Sequence, residues 1–231
     1  MSRIILKLSG EALAGEKKTG FDEETVRRVA RQVARLVDEG HEIGVVTGGG
    51  NFWRGRTGNE IDRVKSDQIG MLATVMNCLY VSEIFRGEGM KTAVLTPFDC
   101  GSFTKLFSKD RANKYFSRGM VVFFAGGTGS PYFSTDTTVV LRAVEVEADV
   151  ILLAKNIDGV YDSDPAKNPD ARRYDILPID DVIAQNLQAL DMTASIMAKE
   201  NKMMMRVFAL QEEDSIVKAA KGVFNGTTIT V

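Results

Sequence analysis

The segment KLSGEA combines a lysine with hydroxyl and glycine residues at the end of an apolar run. Lys7 closes the run, and Ser9 and Gly10 follow it directly. Burying an ammonium group in an apolar strand is costly unless the group meets an anion. The segment therefore indicates an anion site. The alternative is a lysine on an edge strand that points to solvent.

A second glycine-rich segment, TGGGNFWRG, follows another apolar run. Gly48, Gly49 and Gly50 are consecutive, and Arg54 comes four residues later. Consecutive glycines let a backbone approach a ligand with its N–H groups exposed, and such groups bind anions. The alternative is a tight turn before a helix, although three glycines exceed what a turn needs. We expect Arg54 to reach the same anion as the glycine backbone.

A third segment, AGGTGSPYFSTDT, carries glycines, hydroxyl residues and Asp136 into a predicted helix. The N-terminus of a helix attracts negative charge through its free N–H groups and its dipole. Thr135 or Asp136 is the expected cap of this helix, and an ordinary cap is the alternative explanation for Asp136. Ligands in parallel sheets bind where strands end and helices begin, so we expect the three segments to converge.

The elements that must position these segments alternate between strand and helix. Apolar runs of strand length alternate with stretches whose apolar residues recur at helical spacing. Such alternation implies a parallel, doubly wound sheet. The predicted strands are 3–8, 42–47, 91–96, 120–125, 150–154, 207–210 and 227–231. One predicted helix begins at Asp22 and ends before Gly40. The other predicted helices span 64–86, 109–116, 136–148, 179–188, 193–201 and 214–221.

Composition excludes several classes of protein. The formal net charge of the 231 residues is −2, without the basic excess of a nucleic-acid binder. No apolar run approaches the length that crosses a membrane, and the two cysteines favour neither a disulfide framework nor a zinc site. Free thiols suit a cytoplasmic location. Neither a G-x-x-x-x-G-K-[ST] nor a G-x-G-x-x-G string is present, and His41 is the only histidine.

Six segments together resemble the bacterial UMP kinase branch of the amino acid kinase family. In chain order they are KLSGEAL, GGGNFWRG, DQIGMLATVMN, GGTGSPYFSTDT, DGVYDSDP and LDMTA. The resemblance implies a three-layer α/β/α sandwich around a mostly parallel central sheet, the carbamate kinase-like fold. It further implies one domain over 1–231, with an N-terminal UMP lobe and a C-terminal ATP lobe that meet near residue 150. The implied reaction is phosphorylation of UMP to UDP by ATP.

Site residues follow from the resemblance position by position. Lys7, Arg54 and Asp136 match the catalytic residues, and Asp136 matches the acid that organises the lysine. The ATP-binding set is Lys7, Leu8, Ser9, Gly10, Gly50, Arg54, Tyr161 and Asp164. The UMP-binding set is Gly49, Asp67, Thr128, Gly129, Ser130, Pro131, Tyr132, Phe133, Ser134 and Thr135. Asp67 matches the acid that holds the ribose. The alternative, without the resemblance, is that Asp67 is a cap or a first-turn acid of the predicted helix 64–86.

The chain departs from the branch at two places. Ser130 stands where asparagine is usual, so one hydrogen bond to UMP is expected to differ. The AKNIDG segment is one residue shorter than in many relatives, and the resulting match ranks Asn156 above Lys155 as an ATP-side residue. Neither residue is placed in the catalytic set.

The resemblance also implies a cofactor, effectors and an assembly. Mg²⁺ is expected with ATP, held by phosphates and water rather than by a protein metal site. A homohexamer and the effectors GTP and UTP are implied, with Arg86, Arg111 and Arg118 as candidate effector contacts. The helix 64–86 is apolar on several faces, which indicates a buried or interfacial position.

Two alternatives compete with UMP phosphorylation. One is a related kinase that phosphorylates a carboxylate or a carbamate. The other is a protein of the same fold that binds nucleotides or oxyanions without turnover. The aromatic loop Pro131-Tyr132-Phe133 and Asp67 favour a nucleotide acceptor, and the pairing of Lys7 with Asp136 favours catalysis.

Overall fold

The computed structural model describes residues 1–54, 61–187 and 189–231. Gly55 of the second glycine-rich segment and Gln188, the predicted end of a helix, lie outside this described part. The strands within it are β1 (Arg3–Leu8), β2 (Glu42–Thr47), β3 (Lys91–Thr96), β4 (Lys105–Leu106), β5 (Met120–Phe124), β6 (Val150–Lys155), β7 (Val160–Tyr161), β8 (Arg173–Tyr174), β9 (Ile176–Pro178), β10 (Met205–Ala209) and β11 (Gly226–Thr230).

The helices of the described residues connect these strands across the sheet. They are α1 (Gly10–Ala14), α2 (Glu23–Asp38), α3 (Arg63–Gly87), α4 (Lys109–Phe116), α5 (Thr135–Glu145), α6 (Ile179–Ala184), α7 (Met192–Glu200) and α8 (Ser215–Lys221). A short 3₁₀ turn at Gly15–Lys17 follows α1. As predicted, Asp22 caps α2, where its side chain accepts the Thr25 N–H.

A nine-stranded sheet runs through the described part of the chain in the order β4-β3-β5-β2-β1-β6-β10-β11-β9. All neighbouring pairs are parallel except β10 and β11, which run antiparallel. β7 and β8 form a separate antiparallel pair. The mostly parallel sheet was predicted, whereas the short edge strands β4 and β9 were not, because two or three residues show no periodicity.

Alternation along β1 divides the core into two layers. Ile4, Leu6 and Leu8 pack with α2, α3 and α8, while Ile5 packs with α4 to α7 on the opposite face. Successive side chains of a strand point to opposite faces, so Lys7 shares the face of Ile5. The structure is therefore the three-layer sandwich that was predicted, and its central strand points Lys7 toward α5.

Helix α3 is apolar and long enough to cross a membrane by length and composition alone. Cys78, Val81 and Phe85 of this helix are fully buried in the core. Burial of these side chains is typical of a core helix, and core helices can also be as long and apolar as a membrane span. Both cysteines of the chain, Cys78 and Cys100, are free thiols.

Candidate active site

The first two glycine-rich segments meet at the carboxyl ends of β1 and β2, which are neighbours in the sheet. Gly48 donates its backbone N–H to the Leu8 carbonyl oxygen at 2.9 Å. A Cβ atom on Gly10 would lie 2.7 Å from the Gly50 nitrogen and 2.8 Å from the Gly48 oxygen. Because these distances are shorter than real Cβ contacts, the close approach of the two backbones requires glycine at position 10.

Ser9 and Leu8, both predicted to bind ATP, have structural roles where β1 ends and α1 begins. The Ser9 side chain caps α1 by accepting the Ala12 N–H at 3.1 Å. The Leu8 side chain is fully buried in the core layer next to α2. Contact between Leu8 and a nucleotide is therefore restricted to its backbone, whose carbonyl oxygen already accepts the Gly48 N–H.

Lys7 forms an ion pair with Asp136, the acid in the first turn of α5. The Lys7 Nζ lies 2.9 Å from an Asp136 carboxylate oxygen, and Lys7 is only 8% exposed. β1 lies between β2 and β6 inside the sheet, so the alternative of an edge-strand lysine that points to solvent is wrong. The sequence-based expectation that Asp136 holds this lysine agrees with the geometry.

Lys155 adds a second ammonium group to this cluster. It ends β6 one position beyond the pair Leu8–Ala154, and its Nζ donates to the Ala189 carbonyl oxygen. Burial lowers the pKa of Lys155; the charge of Asp136 opposes this shift and the charge of Lys7 adds to it. The structure thus favours Lys155 over Asn156, which is exposed, and reverses the order given by the sequence.

A cleft on one side of this cluster is lined by much of the predicted UMP-binding set. Six residues of that set line it: Gly49, Asp67, Thr128, Phe133, Ser134 and Thr135. Gly50, which was predicted to bind ATP, lines it as well. The lining also contains residues that the sequence did not single out, among them Trp53, Arg63, Ser66 and Thr138. Gly129, Ser130, Pro131 and Tyr132 belong to the same loop but are not among the residues that line this cleft. We refer to it as the acceptor cleft.

Asp67 connects helix α3 to the loop that covers the acceptor cleft. One of its carboxylate oxygens accepts from Arg63 Nε at 2.9 Å and from the Tyr132 N–H at 2.8 Å. The Arg63 guanidinium also lies 5.2 Å from the centre of the Tyr132 ring. Asp62, not Asp67, caps α3. The alternative reading of Asp67 as a cap is therefore wrong, and its carboxylate faces the cleft.

The N-terminus of α5 lies at the junction of the cleft and the lysine cluster. Ser134 caps this helix, and its Oγ accepts the N–H groups of Asp136 and Thr137 at 3.0 and 3.3 Å. The sequence predicted Thr135 or Asp136 as the cap, which is wrong by one or two residues. Serine takes the cap because its backbone is extended, and this leaves the Asp136 carboxylate to pair with Lys7.

Arg54 lies beside the glycine loop and is paired with Glu11. The Arg54 guanidinium is 2.8 Å from a carboxylate oxygen of Glu11, which is in the first turn of α1. Both side chains are well exposed. Glu11 was not considered in the sequence analysis. This ion pair holds Arg54 next to Gly50, the position from which it was expected to reach an anion.

A second cleft, the donor cleft, is lined by residues that follow β6. Tyr161 and Asp164, both predicted to bind ATP, line it together with Lys155, Val160 and Leu187. The Tyr161 hydroxyl donates to Asp158 at 2.8 Å, and Arg173 pairs with the same carboxylate at 2.7 Å. The hydrogen bond to Asp158 raises the pKa of the Tyr161 hydroxyl. This network fixes the tyrosine ring at the cleft wall.

The chain belongs to the amino acid kinase family. The family model, described as "Amino acid kinase family", matches residues 2–209, which is most of the chain. The match covers the strands that carry Lys7, Gly48–Gly50 and Lys155, and the helix that carries Asp136.

Two solved structures illustrate how similar the chain is to particular members. A UMP kinase from Bacillus anthracis is 34% identical, with a TM-score of 0.95, and the match covers 99% of this chain and 96% of that one. A UMP kinase from Ureaplasma parvum is 33% identical, with a TM-score of 0.94 and coverage of 100% and 99%.

Proposed function

We propose that this chain transfers the γ-phosphoryl group of ATP to UMP and forms UDP. One observation carries the proposal: the buried Lys7 pairs with Asp136, which follows Thr135 of the acceptor cleft, and Lys155 of the neighbouring strand β6 lines the donor cleft. The full-length similarity to two UMP kinases supports the choice of UMP. Pyrimidine nucleotide biosynthesis is the pathway that this reaction serves, and we propose a cytoplasmic enzyme.

The acceptor cleft is proposed to hold UMP. Asp67 would accept hydrogen bonds from the ribose hydroxyls, a role that suits a carboxylate already held between Arg63 and the Tyr132 N–H. The first turn of α5 at Ser134 and Thr135 would receive the phosphate, because free N–H groups and the helix dipole favour an anion there. The backbones of Gly49 and Gly50 would complete the phosphate contacts.

The donor cleft is proposed to hold ATP, with residues after about 150 forming most of its wall. Tyr161 would border the adenine, and Asp164 the sugar. The phosphates would extend toward Ser9, Gly10 and Lys7, where backbone N–H groups and an ammonium group can stabilise the charge that spreads over the transferring phosphoryl. Arg54, beside Gly50, would add a guanidinium to the same region.

The magnesium ion is proposed to enter the site bound to ATP. Within the described residues, no group of three or more His, Cys, Asp and Glu side chains is placed to hold a metal ion. Asp136, the acid between the clefts, is paired with Lys7. We propose that phosphate oxygens and water supply most of its ligands, as Mg²⁺ prefers. When bound, the ion neutralises charge on the β- and γ-phosphate oxygens.

A panel of acceptors tests the proposed substrate. We expect ADP release in a coupled assay to be fastest with UMP among UMP, CMP, acetylglutamate, aspartate and carbamate. A preference for one of the last three would indicate the carboxylate or carbamate kinase instead. Binding of UMP without ADP release would indicate the non-catalytic alternative. Either result would remove the proposed reaction.

The homohexamer that the resemblance implies is proposed with α3 at one of its interfaces. Ala73, Val75 and Val81 are buried, as expected for a core helix. Ile69, Leu72 and Met76 are 40%, 54% and 49% exposed, and their spacing places them on one stripe. An exposed apolar stripe is typical of a protein interface. Light scattering at micromolar concentration is expected to give a hexamer mass; a monomer mass would contradict the assembly.

GTP and UTP are proposed as effectors of this assembly. Of the three candidate arginines, Arg86 donates to Thr92 and pairs with Glu83, which commits it to the chain's own residues. Arg111 and Arg118 line one surface groove with Lys114. Asp110 also lines this groove, and Arg111 donates to the Leu106 carbonyl oxygen. Its three cationic residues still outnumber this one acid, and we propose the groove as the site for a triphosphate.

A further inference from the structure

One carboxylate joins the starts of two helices beside the proposed active site. Asp191 caps α7 by accepting the Ala194 N–H at 2.8 Å. The same carboxylate accepts hydrogen bonds from the Ser134 hydroxyl and, at 3.1 Å, from the Thr137 hydroxyl in α5. Capping α7 needs only the first of these contacts. The two hydroxyl contacts tie α5 to α7.

These contacts act on the residue that holds Lys7. Ser134 is the cap of α5, and its oxygen accepts the N–H of Asp136, whose carboxylate pairs with Lys7. Thr137, the next residue, is only 2% exposed, so the first turn has little room to shift. The position of Asp136 is therefore set by a chain of hydrogen bonds that ends on Asp191.

The residues just before Asp191 reach the second lysine of the cluster. Ala189 accepts a hydrogen bond from Lys155 Nζ and lines the donor cleft. Leu190, between the two, is packed in the core. In residues 189–191, Ala189 thus contacts Lys155 and Asp191 contacts the start of α5. This segment therefore connects the donor cleft with the acceptor cleft.

We infer that Asp191 is a positioning residue for phosphoryl transfer. It fixes the start of α5, and through it the Asp136–Lys7 pair, in register with Lys155 and the donor cleft. Asp191 is among the lining residues of neither cleft, so it acts through Ser134 and Thr137. This inference rests on the proposed function for its kinetic consequence, whereas its structural part is independent of which acceptor is used.

Asp191→Asn tests the inference because asparagine caps a helix as well as aspartate does. The asparagine side chain keeps an oxygen that accepts the Ala194 N–H. Its amide nitrogen, however, accepts no hydrogen bond, and the negative charge that faces the Ser134 and Thr137 hydroxyls is lost. We expect kcat to fall by about 10-fold to 100-fold, since small misplacements of reacting groups have effects of that size. KM for UMP is expected to change by less than about threefold.

Hydrogen exchange of the amides in residues 133–140 provides a readout that does not depend on the substrate. We expect faster exchange there in Asp191→Asn, and unchanged exchange and kcat in the control Asp180→Asn. Asp180 is an exposed carboxylate that pairs with Lys199 on the neighbouring helices α6 and α7. A cap with a purely structural role in α7 would leave exchange in α5 unchanged.

Thr137→Val completes the experiment, because it removes one of the two hydroxyls that Asp191 holds. If Asp191 acts through this contact, the effects of Asp191→Asn and Thr137→Val on kcat are less than additive in the double variant. Unchanged exchange in α5, unchanged kcat or full additivity would overturn the inference. A wild-type chain that does not phosphorylate UMP would overturn the proposed function, and the exchange comparison would still decide whether Asp191 fixes α5.

Discussion

Lys7→Ala is expected to lower kcat with UMP and ATP by about 10²-fold to 10³-fold, the effect typical of removing one group that stabilises transition-state charge. Lys7 is nearly buried, lies inside the sheet and pairs with Asp136, the residue that follows Thr135 of the acceptor cleft. Charge on the transferring phosphoryl is largest in the transition state, so the loss falls mainly on turnover. UMP binding, measured by calorimetry, is expected to weaken by less than about threefold.

A matched control separates this effect from the loss of any strand lysine. Lys91→Ala changes the first residue of β3, which is exposed, and is expected to leave kcat unchanged. Removing the Lys7 ammonium also leaves the Asp136 carboxylate without that partner, so a thermal melt must show that the variant is folded. Unchanged turnover in a folded Lys7→Ala protein would contradict the proposed mechanism.

Asp136→Asn is expected to lower kcat by about 10²-fold and to change its pH dependence. The Asp136 carboxylate pairs with Lys7 and raises the pKa of Lys155, which burial and the charge of Lys7 lower. Neutralising the carboxylate removes the charge of Asp136, which raises this pKa. Lys155 then loses its proton at a lower pH, so the alkaline limb of the kcat profile moves to lower pH.

The measurement is kcat as a function of pH for the wild type and the variant, both saturated with ATP and UMP. Asp38→Asn serves as a control, since Asp38 is an exposed acid at the end of α2 that is among the lining residues of neither cleft. We expect its profile to match the wild type. An alkaline limb that stays in place or moves upward in Asp136→Asn would show that Asp136 does not support the charge of Lys155.

The sheet and its glycine loops were predictable because their signals are local. Apolar runs such as β1 and β2 and the caps before α2 are determined by neighbours in the sequence. Parallel topology follows from strands separated by helices, which places the ends of β1, β2 and β5 along one edge. The convergence of Lys7, Gly48–Gly50 and the start of α5 follows from those two facts.

Contacts between distant segments were not predictable in the same way. Asp191 reads as a helix cap, and nothing nearby in the sequence shows that Ser134 and Thr137 lie against it. Lys155 reads as one residue of a strand end, and its place in the lysine cluster depends on the pairing of β6 with β1. Glu11 and Arg63 were missed for the same reason: their partners are set by packing rather than by a motif.

The two clefts have consequences for the order of events during turnover. Their lining residues, as far as the structure describes them, do not overlap, so one nucleotide need not leave before the other enters. Lys7 and Asp136, next to the acceptor cleft residue Thr135, are already paired with each other. Direct transfer within a ternary complex is the kinetic scheme that such an arrangement suits, and a phosphorylated form of the protein is unnecessary.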